Sequence, residues 1–510
     1  MILSKQYLSA AKKKAGLEIP GEAIFSLPEK VLQFGTGVLL RGLPDYFIDK
    51  ANKQNVFNGR IVVVKSTSQG DTDAFSRQDN LFTHCIRGTE NARQVNEAII
   101  NASISRVLSA KDEWNAILQC AANPQLQVII SNTTEVGISL LDNDNVYATP
   151  PVSFPGKLLA FLLERYRQFN GTAESGMVII PTELIPGNGT RLRDIVIELA
   201  GQNKLGKEFI DWIKTYNDFC NSLVDRIVPG KLSLADKAVT EEKLGYTDDL
   251  MIMSEVYCLW AIETISKRTK DILSFSKTDG AVIIAEDIDK YRELKLRLLN
   301  GSHTFSCALA VLLGFTTVKQ AMQNQDFLAF ITSLMLDEMV PAIVGEKVSL
   351  EEGLEFSLTV LDRYKNPFIE HQWLSISLQY SSKMKMRNIP VLLQHYEQSA
   401  LEPQYMALGF AAYLLFMKAV PNENMEYRGE AAGSTYTIHD DKAAWLNERW
   451  NMRNTDEFIH AVLSDKNLWG TDLTILPGFA EKVEEYLLSI QEEGAGTVLK
   501  KIRAQKNSLK

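Results

Sequence analysis

Val31-Leu-Gln-Phe-Gly-Thr-Gly37 joins a short apolar segment to a glycine turn, and a helical pattern follows over residues 38–51. A strand, a glycine turn and a helix in this order can bind a phosphate, because glycine lets the backbone approach the ligand and a helix N-terminus favours an anion. The pattern is incomplete, since Leu40 stands where a full GxGxxG motif has glycine or alanine. The stretch predicts the first strand and turn of a nucleotide-binding sheet.

Further apolar runs of strand length alternate with helical patterns along the N-terminal half. The strand candidates lie at 60–64, 128–131, 177–180 and 281–285, and the helical patterns lie at 113–121, 155–169 and 190–199. Alternation of this kind predicts a mostly parallel sheet that helices cover on both faces. We therefore predict an α/β, Rossmann-like, dinucleotide-binding domain over residues 1–285.

Polar stretches at 131–135 and 181–189 follow two of these strands, at the sheet edge where such folds bind ligands. The strand at 60–64 runs into Lys65 and has no Asp or Glu at its end to bind the adenosine ribose. The residues alone therefore leave NAD and NADP both open.

Helical periodicity dominates after residue 286 and predicts an all-α second domain over residues 286–510. The helical runs lie at 296–315, 319–340, 350–364, 390–396, 403–420 and 477–491. With two domains, the expected place for a ligand pocket is between them.

Lys295, Asn300 and His303 open the first of these helical runs. On an ideal α-helix Lys295 and Asn300 lie roughly 140° apart with His303 between them. An amine that transfers a proton, beside an amide that donates a hydrogen bond to an oxygen, suits the interconversion of a carbonyl and an alcohol. The alternative is that these are surface, capping and core residues.

Basic residues gather between Arg363 and Arg387, with His371, Lys383 and Lys385 between them. In an acidic protein such a group can bind a carboxylate, arginine with two hydrogen bonds and lysine as a point charge. A solvated helix face is the alternative interpretation.

The composition is that of an ordinary globular protein, with 510 residues of which 45% are hydrophobic and 23% charged. A net charge of −9 argues against a nucleic-acid partner. Five scattered cysteines without a CxxC pair, and six histidines without an HxH or HExxH pair, predict reduced thiols and no metal site. No apolar run suggests a signal peptide or a membrane span. We expect a cytoplasmic protein without a membrane partner, either a monomer or a small homo-oligomer.

The Lys295, Asn300, His303 spacing resembles the signature of the polyol-specific long-chain dehydrogenases, the mannitol dehydrogenase family. Other segments also resemble this family: the glycine motif with Gly35, Gly37 and Arg41, the segment Thr134-Glu135, the turn Asn188-Gly189, the segment Asp225-Arg226-Ile227, and the segment with Arg363, Asn366, Pro367 and His371.

The resemblance implies a cytoplasmic NAD-dependent enzyme without a metal that interconverts a ketone and an alcohol on a small sugar acid by hydride transfer. It implies cofactor binding at Phe34, Gly35, Thr36, Gly37, Arg41, Thr134 and Glu135. It implies Lys295 as general acid and base, Asn188 and Asn300 as amide donors to the carbonyl oxygen, and Asp225 near the substrate. His303 either orients the substrate or is a core residue, and Arg363, His371, Lys383 and Arg387 are the candidates for the substrate carboxylate.

Three alternatives stay open. The first is a different enzyme of the same family, which acts on another ketouronate or on a neutral polyol. A lyase that forms a Schiff base on Lys295 is the second alternative. A dinucleotide-binding sensor without turnover is the third.

Overall fold

A computed structural model describes residues 1–10, 17–66, 72–90, 93–133, 137–452 and 454–508. The chain divides into two compact units. Unit 1 comprises residues 1–88 and 94–288, and unit 2 comprises residues 89–93 and 289–510. The main division therefore falls between Ile288 and Asp289, where the sequence prediction has 285/286.

The strands of unit 1 include short apolar segments that are buried throughout, such as Val128–Ser131 and Val178–Pro181, as strands covered on both faces are. The strands are β1 (Leu17–Glu18), β2 (Glu29–Phe34), β3 (Arg60–Lys65), β4 (Phe82–Glu90), β5 (Arg93–Asn101), β6 (Ile104–Ser109), β7 (Val128–Ser131), β8 (Val178–Pro181), β9 (Asp218–Phe219), β10 (Ser222–Asp225), β11 (Ile252–Ser254), β12 (Leu259–Glu263) and β13 (Val282–Ala285).

The main sheet of unit 1 has the strand order β6-β3-β2-β7-β8-β9, and each neighbouring pair is parallel. From β2 the chain continues to β3 and β6 on one side of the sheet, and then to β7, β8 and β9 on the other side. The order therefore reverses between β2 and β7, which is the switch point where Rossmann sheets bind dinucleotides. The predicted fold class of the N-terminal region is confirmed.

Helices cover both faces of this sheet. The helices of unit 1 are α1 (Lys5–Ala10), α2 (Val38–Gly42), α3 (Pro44–Lys53), α4 (Asp73–Arg77), α5 (Trp114–Gln119), α6 (Phe154–Gln168), α7 (Asn188–Gln202), α8 (Lys207–Tyr216), α9 (Leu234–Leu244) and α10 (Lys267–Ile272). Alternate strand residues enter two different cores: Leu32 and Phe34 belong to one, and Val31 to the other. Because both faces of the sheet are buried, apolar and polar residues do not alternate regularly along these strands.

Two features of unit 1 differ from the sequence prediction. The helical pattern at 38–51 is two helices, because Pro44 lacks an N–H and restricts the backbone of Leu43, which has φ −133° and ψ −79°. The strand β13 does not join the parallel sheet. It pairs with β12 in a separate sheet of order β10-β12-β13, and β1-β5-β4-β11 form another.

Unit 2 is mainly helical, as predicted. Its helices are α11 (Asp289–Glu293), α12 (Ser302–Leu312), α13 (Val318–Met322), α14 (Gln325–Ser333), α15 (Val340–Ile343), α16 (Leu350–Tyr364), α17 (Trp373–Ile376), α18 (Tyr380–Lys383), α19 (Ile389–Gln398), α20 (Gln404–Phe416), α21 (Ala443–Trp450), α22 (Thr455–Leu463), α23 (Lys466–Trp469), α24 (Phe479–Glu493) and α25 (Ala495–Ser508). Three segments are π-helical: Leu294–Gly301, Leu334–Met339 and Met384–Asn388.

The second domain is not entirely helical, which corrects the sequence prediction. It contains a small antiparallel sheet of β14 (Val420–Pro421), β15 (Tyr427–Ala431) and β16 (Ser434–Ile438). One continuous apolar cluster fills the unit, and the nearly all-buried helix α20 runs through it. Among the helices that the structure describes, none combines the length and hydrophobicity that crossing a membrane requires.

Candidate active site

The glycine turn after β2 lies at the switch point of the sheet. Gly35 has φ +126°, a conformation that side chains rarely adopt, and its N–H donates to the Val64 carbonyl over 2.9 Å. A Cβ on Gly35 would lie 2.9 Å from both the Asn132 carbonyl oxygen and a Leu40 methyl. The loops after β2 and β7 therefore approach so closely that only glycine fits at this position.

Gly37 has the opposite environment. It is exposed, it precedes the first residue of α2, and a Cβ built on it would meet no described atom within 4 Å. Open space over a glycine at the switch point is where a dinucleotide pyrophosphate can approach the backbone. The residues of this turn therefore fit a dinucleotide. Phe34 contributes backbone only, since its ring is buried against Phe154.

Arg41 does not lie in this open space, which speaks against its predicted role in binding the cofactor. Its guanidinium is buried, contacts the rings of Phe75 and Phe82, and donates to the Leu250 carbonyl over 2.5 Å. Burial lowers the pKa of Arg41, while Asp45 and Asp248 oppose that shift. Arg41 is thus a structural residue of unit 1.

The carboxyl ends of β7 and β8 are joined by a buried carboxylate. Glu183 accepts hydrogen bonds from the Ser131 hydroxyl, the Thr133 backbone N–H and the Thr133 hydroxyl, over 2.8–3.1 Å. Asn132 donates to the Thr182 hydroxyl and carbonyl. The two polar stretches thus form one network at the cofactor edge of the sheet. The predicted cofactor residues Thr134 and Glu135 lie outside the described residues.

Asn188, which was predicted as an oxyanion donor, forms its hydrogen bonds with the backbone of unit 1. Its Nδ2 lies 3.0 Å from the carbonyl oxygens of Pro181, Glu183 and Ser222. Its Oδ1 accepts from the N–H groups of Gly189 and Ser222. The two amide hydrogens already have three acceptors, so Asn188 ties β8 to β10 and has no hydrogen to donate to a substrate.

Asp225 ends β10 and is buried opposite Leu259 of β12. The next residue, Arg226, donates to the carbonyls of Gly42 and Glu255, and its guanidinium lies over the ring of Tyr46. The Asp-Arg-Ile segment therefore connects α2, the helix after the glycine turn, to the residue that follows β11.

In unit 2, Lys295 and Asn300 lie on a π-helical segment and not on an α-helix. Hydrogen bonds in a π-helix run from residue i to i+5, so residues five apart lie next to each other on one face. Lys295 and Asn300 are five residues apart and both are half-buried. The π-helical geometry brings the amine and the amide together more closely than the predicted α-helix would.

His303 follows in the first turn of α12 and is buried among aromatic rings. It stacks on Tyr364 with centroids 4.1 Å apart and meets His371 edge-on at 5.1 Å. Burial, reinforced by the charges of His371, Arg363 and Arg387, holds the pKa of His303 well below 6.5. Its imidazole is therefore neutral near pH 7, and its Nε2 has no hydrogen-bond partner within the described ranges.

The predicted carboxylate-binding residues do gather around His303. We call Arg363, His371, Lys383 and Arg387 the basic cluster. Burial lowers the pKa of both His371 and Lys383. A basic neighbour lowers each further, Arg363 for His371 and Arg387 for Lys383. Arg387 donates to the Thr304 hydroxyl over 3.2 Å, next to His303, while its Nε has no partner among the described residues. Four partly buried basic residues in one place are chemically suited to bind an anion.

Two residues of this region escaped the sequence analysis. Tyr364 holds the backbone of the π-helical segment, and Asn388 does so from the other side. Their contacts span 65 and 87 residues, so no local pattern could reveal them. Among the described residues, no group of three or more His, Cys, Asp or Glu side chains could hold a metal ion.

A Rossmann unit with a glycine turn at its switch point, and a helical unit with an amine, an amide and a basic cluster, define a dinucleotide-dependent dehydrogenase or reductase. The chain belongs to the mannitol dehydrogenase family: the model of its Rossmann domain matches residues 29–273, and that of its C-terminal domain matches residues 287–491. The predicted family and enzyme class are confirmed.

Curated relatives cover almost the whole chain. It is 38% identical over 471 residues to an altronate oxidoreductase of Bacillus subtilis (strain 168), with 92% of this chain and 94% of the relative covered. It is 36% identical over 477 residues to an altronate oxidoreductase of Halalkalibacterium halodurans, with 92% of each chain covered. It is 36% identical over 475 residues to the Escherichia coli (strain K12) altronate oxidoreductase, covering 92% and 95%.

Two solved structures share the fold. The Pseudomonas fluorescens mannitol 2-dehydrogenase, in a ternary complex with NAD and D-mannitol, has a TM-score of 0.68 at 24% identity, covering 99% of this chain and 100% of that one. A substrate-free D-sorbitol dehydrogenase has a TM-score of 0.78 at 19% identity, covering 97% and 99%. These similarities support the arrangement of a Rossmann domain followed by a helical domain.

Proposed function

We propose that this enzyme interconverts D-tagaturonate and D-altronate with NAD as its hydride acceptor and NADH as its donor. The observation that carries the proposal is the basic cluster beside His303, which suits the carboxylate of a sugar acid and which a neutral polyol does not require. The altronate oxidoreductases that resemble the chain over 92% of its length support the same substrate. The NAD in the complex of the mannitol 2-dehydrogenase supports the cofactor.

In this proposal the residues of unit 2 perform the proton chemistry. Bound NADH supplies the hydride. Lys295 donates a proton to the carbonyl oxygen during reduction and takes it back during oxidation. The Asn300 amide donates a hydrogen bond to that oxygen as its negative charge develops. Asn188 has no part, since its amide hydrogens are used within unit 1.

The basic cluster orients the substrate. Arg363 and Arg387 can each bind a carboxylate with two hydrogen bonds, and Lys383 adds a point charge. His303 and His371 are neutral near pH 7, because burial lowers the pKa of both. They therefore provide hydrogen bonds to sugar hydroxyls without adding charge.

The test compares Lys295→Ala with the wild type on tagaturonate, fructuronate and fructose, following the loss of NADH absorbance. We expect the highest kcat/KM on tagaturonate and a loss of about 10²–10⁴ in kcat for the variant. Lys290→Ala is the matched control, because Lys290 lies on the preceding helix in a half-exposed ion pair with Glu352. It should keep wild-type activity.

Other outcomes would change the assignment. Preference for fructuronate would make the enzyme a fructuronate reductase (mannonate oxidoreductase), and preference for fructose would make it a mannitol-type polyol dehydrogenase. Wild-type kcat in Lys295→Ala would remove the lysine from the mechanism. A covalent adduct trapped by borohydride with substrate would indicate a Schiff-base lyase.

A further inference from the structure

Four consecutive backbone carbonyls at the end of the π-helical segment Leu294–Gly301 accept hydrogen bonds from side chains. Two of the donors are local. The Ser302 hydroxyl donates to the Leu298 carbonyl over 2.5 Å, and the Thr304 hydroxyl donates to the Asn300 carbonyl over 2.7 Å. Hydroxyls that bond back along their own helix are common and by themselves select no particular geometry.

The other two donors come from distant parts of unit 2. The Tyr364 hydroxyl, at the end of α16, donates to the Leu299 carbonyl over 2.8 Å and lies 2.8 Å from the Ser302 hydroxyl. The Asn388 amide, at the end of another π-helical segment, donates to the Gly301 carbonyl over 3.2 Å. Both side chains are buried.

These two donors can select between two conformations of the turn. A π-helix is rare because its i to i+5 hydrogen bonds form a wide turn, and it occurs mostly as a short insertion at functional sites. The competing conformation of the same residues is the α-helix, which would turn Lys295 and Asn300 roughly 140° apart. Tyr364 and Asn388 bond to carbonyls where the π-helix places them, so they favour the π-helix over the α-helix.

We infer that Tyr364 and Asn388 are positioning residues, which hold the amine of Lys295 and the amide of Asn300 on one face of the helix. This inference rests on the proposed function, in which these two groups act on the same carbonyl oxygen. Neither residue has to touch the substrate. Their effect is on the rate of the proton transfer, which depends steeply on the placement of the reacting groups.

Tyr364→Phe tests the inference, because it removes the hydroxyl and keeps the ring that stacks on His303. We expect kcat to fall about 10- to 100-fold, as for a misplacement of about 1 Å, with KM and the NADH dissociation constant unchanged within about twofold. Partial unfolding would also lower the apparent kcat at constant KM, so kcat is calculated per folded enzyme, counted by NADH titration.

Tyr380→Phe is the matched control. The Tyr380 hydroxyl is also buried and also donates to a backbone carbonyl, that of Thr304, over 2.6 Å. It bonds to the α-helical part that follows the π-helical turn. The control should lose a similar amount of thermal stability and keep its kcat. An equal fall of kcat in both variants would overturn the inference.

A second measurement does not need turnover. The rate at which acetic anhydride labels Lys295, followed on its peptide by mass spectrometry as a function of pH, reports the surroundings of the amine. We expect the profile to change in Tyr364→Phe and to stay the same in Tyr380→Phe. If no sugar acid is turned over, the proposed function fails and this profile still decides the inference.

Asn388→Ala is the second variant, in case Tyr364→Phe does not fold. It removes the donor to the Gly301 carbonyl from the opposite side of the turn. It should lower kcat and change the labelling profile of Lys295 in the same direction as Tyr364→Phe. Wild-type kcat together with an unchanged profile in either folded variant would overturn the inference.

Discussion

Lys383 and Lys385 lie two residues apart but have different surroundings. Lys383 is half-buried, donates to the Ile376 carbonyl over 2.9 Å, and has a pKa lowered by burial and by Arg387. Lys385 is exposed and donates to the Asn467 carbonyl. Only Lys383 belongs to the basic cluster, so the pair compares a lysine proposed to bind the carboxylate with a surface lysine.

We expect Lys383→Met to lower kcat/KM for the uronate about 10- to 100-fold, the value of a hydrogen bond to a charged group. Kinetics on a neutral ketose should change much less, because the lost partner is the carboxylate. Lys385→Met should change neither by more than about twofold. Equal effects of both variants on the uronate would exclude a specific role for Lys383.

At the residue scale, the spacing of residues along the sequence indicates which chemical groups can lie together. It does not indicate which hydrogen bonds those groups already form. Lys295, Asn300 and His303 could be selected from the sequence because their spacing resembles the signature of the family, whereas spacing alone left a surface role open. Asn188 could not be judged in this way, because its amide bonds to the Ser222 carbonyl, 34 residues away, as well as to the nearby carbonyls of Pro181 and Glu183. The burial of Arg41 under Phe75 and Phe82 is equally non-local.

At the element scale, the glycine turn after β2 contains two glycines with different reasons to be glycine. Gly37 has φ −63°, and a Cβ there meets nothing within 4 Å. We expect Gly37→Ala to leave the free energy of unfolding unchanged within about 1 kcal/mol. The methyl group would occupy space that the cofactor needs, so the NADH dissociation constant should rise about tenfold or more, which is about 1.4 kcal/mol.

Gly35→Ala is the companion variant. Its φ of +126° and its contacts with the Asn132 carbonyl and Leu40 should cost about 1–3 kcal/mol of unfolding free energy. Calorimetry measures the stabilities and fluorescence titration measures NADH binding. If Gly37→Ala bound NADH as tightly as the wild type, the pyrophosphate would not lie over this glycine.

Whether a segment is a helix could be predicted from the sequence more readily than the position of a tight turn or the type of helix. The run at 350–364 is helix α16, because its period is regular and Ser349 with Glu352 forms a capping box. The hairpin of β15 and β16 was missed, since its turn uses Ala432 with φ +50° before Gly433. Alanine rarely adopts that conformation, so the usual Asn-Gly signal is missing. The π-helical turn at Leu294–Gly301 is bonded by donors 65 and 87 residues away, so no local pattern indicates it.

At the scale of the whole molecule, alternation of strands and helices was enough to predict the Rossmann sheet. Right-handed crossovers leave few possible strand orders once parallel strands alternate with helices. The order β6-β3-β2-β7-β8-β9 is one of them. The placement of β13 in another sheet was beyond that argument, because a parallel partner is compatible with either sheet.

Each unit has its own core, which predicts how the molecule unfolds. One apolar cluster lies entirely in unit 2, and two others lie entirely in unit 1. We expect scanning calorimetry to show two transitions, since multidomain chains depart from two-state unfolding.

NADH at 100 times its dissociation constant adds about 2.7 kcal/mol to the unit that binds it. That energy should raise the transition of unit 1 by about 5–10 °C and the other transition less. In Gly37→Ala the shift at the same NADH concentration should be smaller. A single transition whose calorimetric and van't Hoff enthalpies agree would show that the separate cores unfold as one.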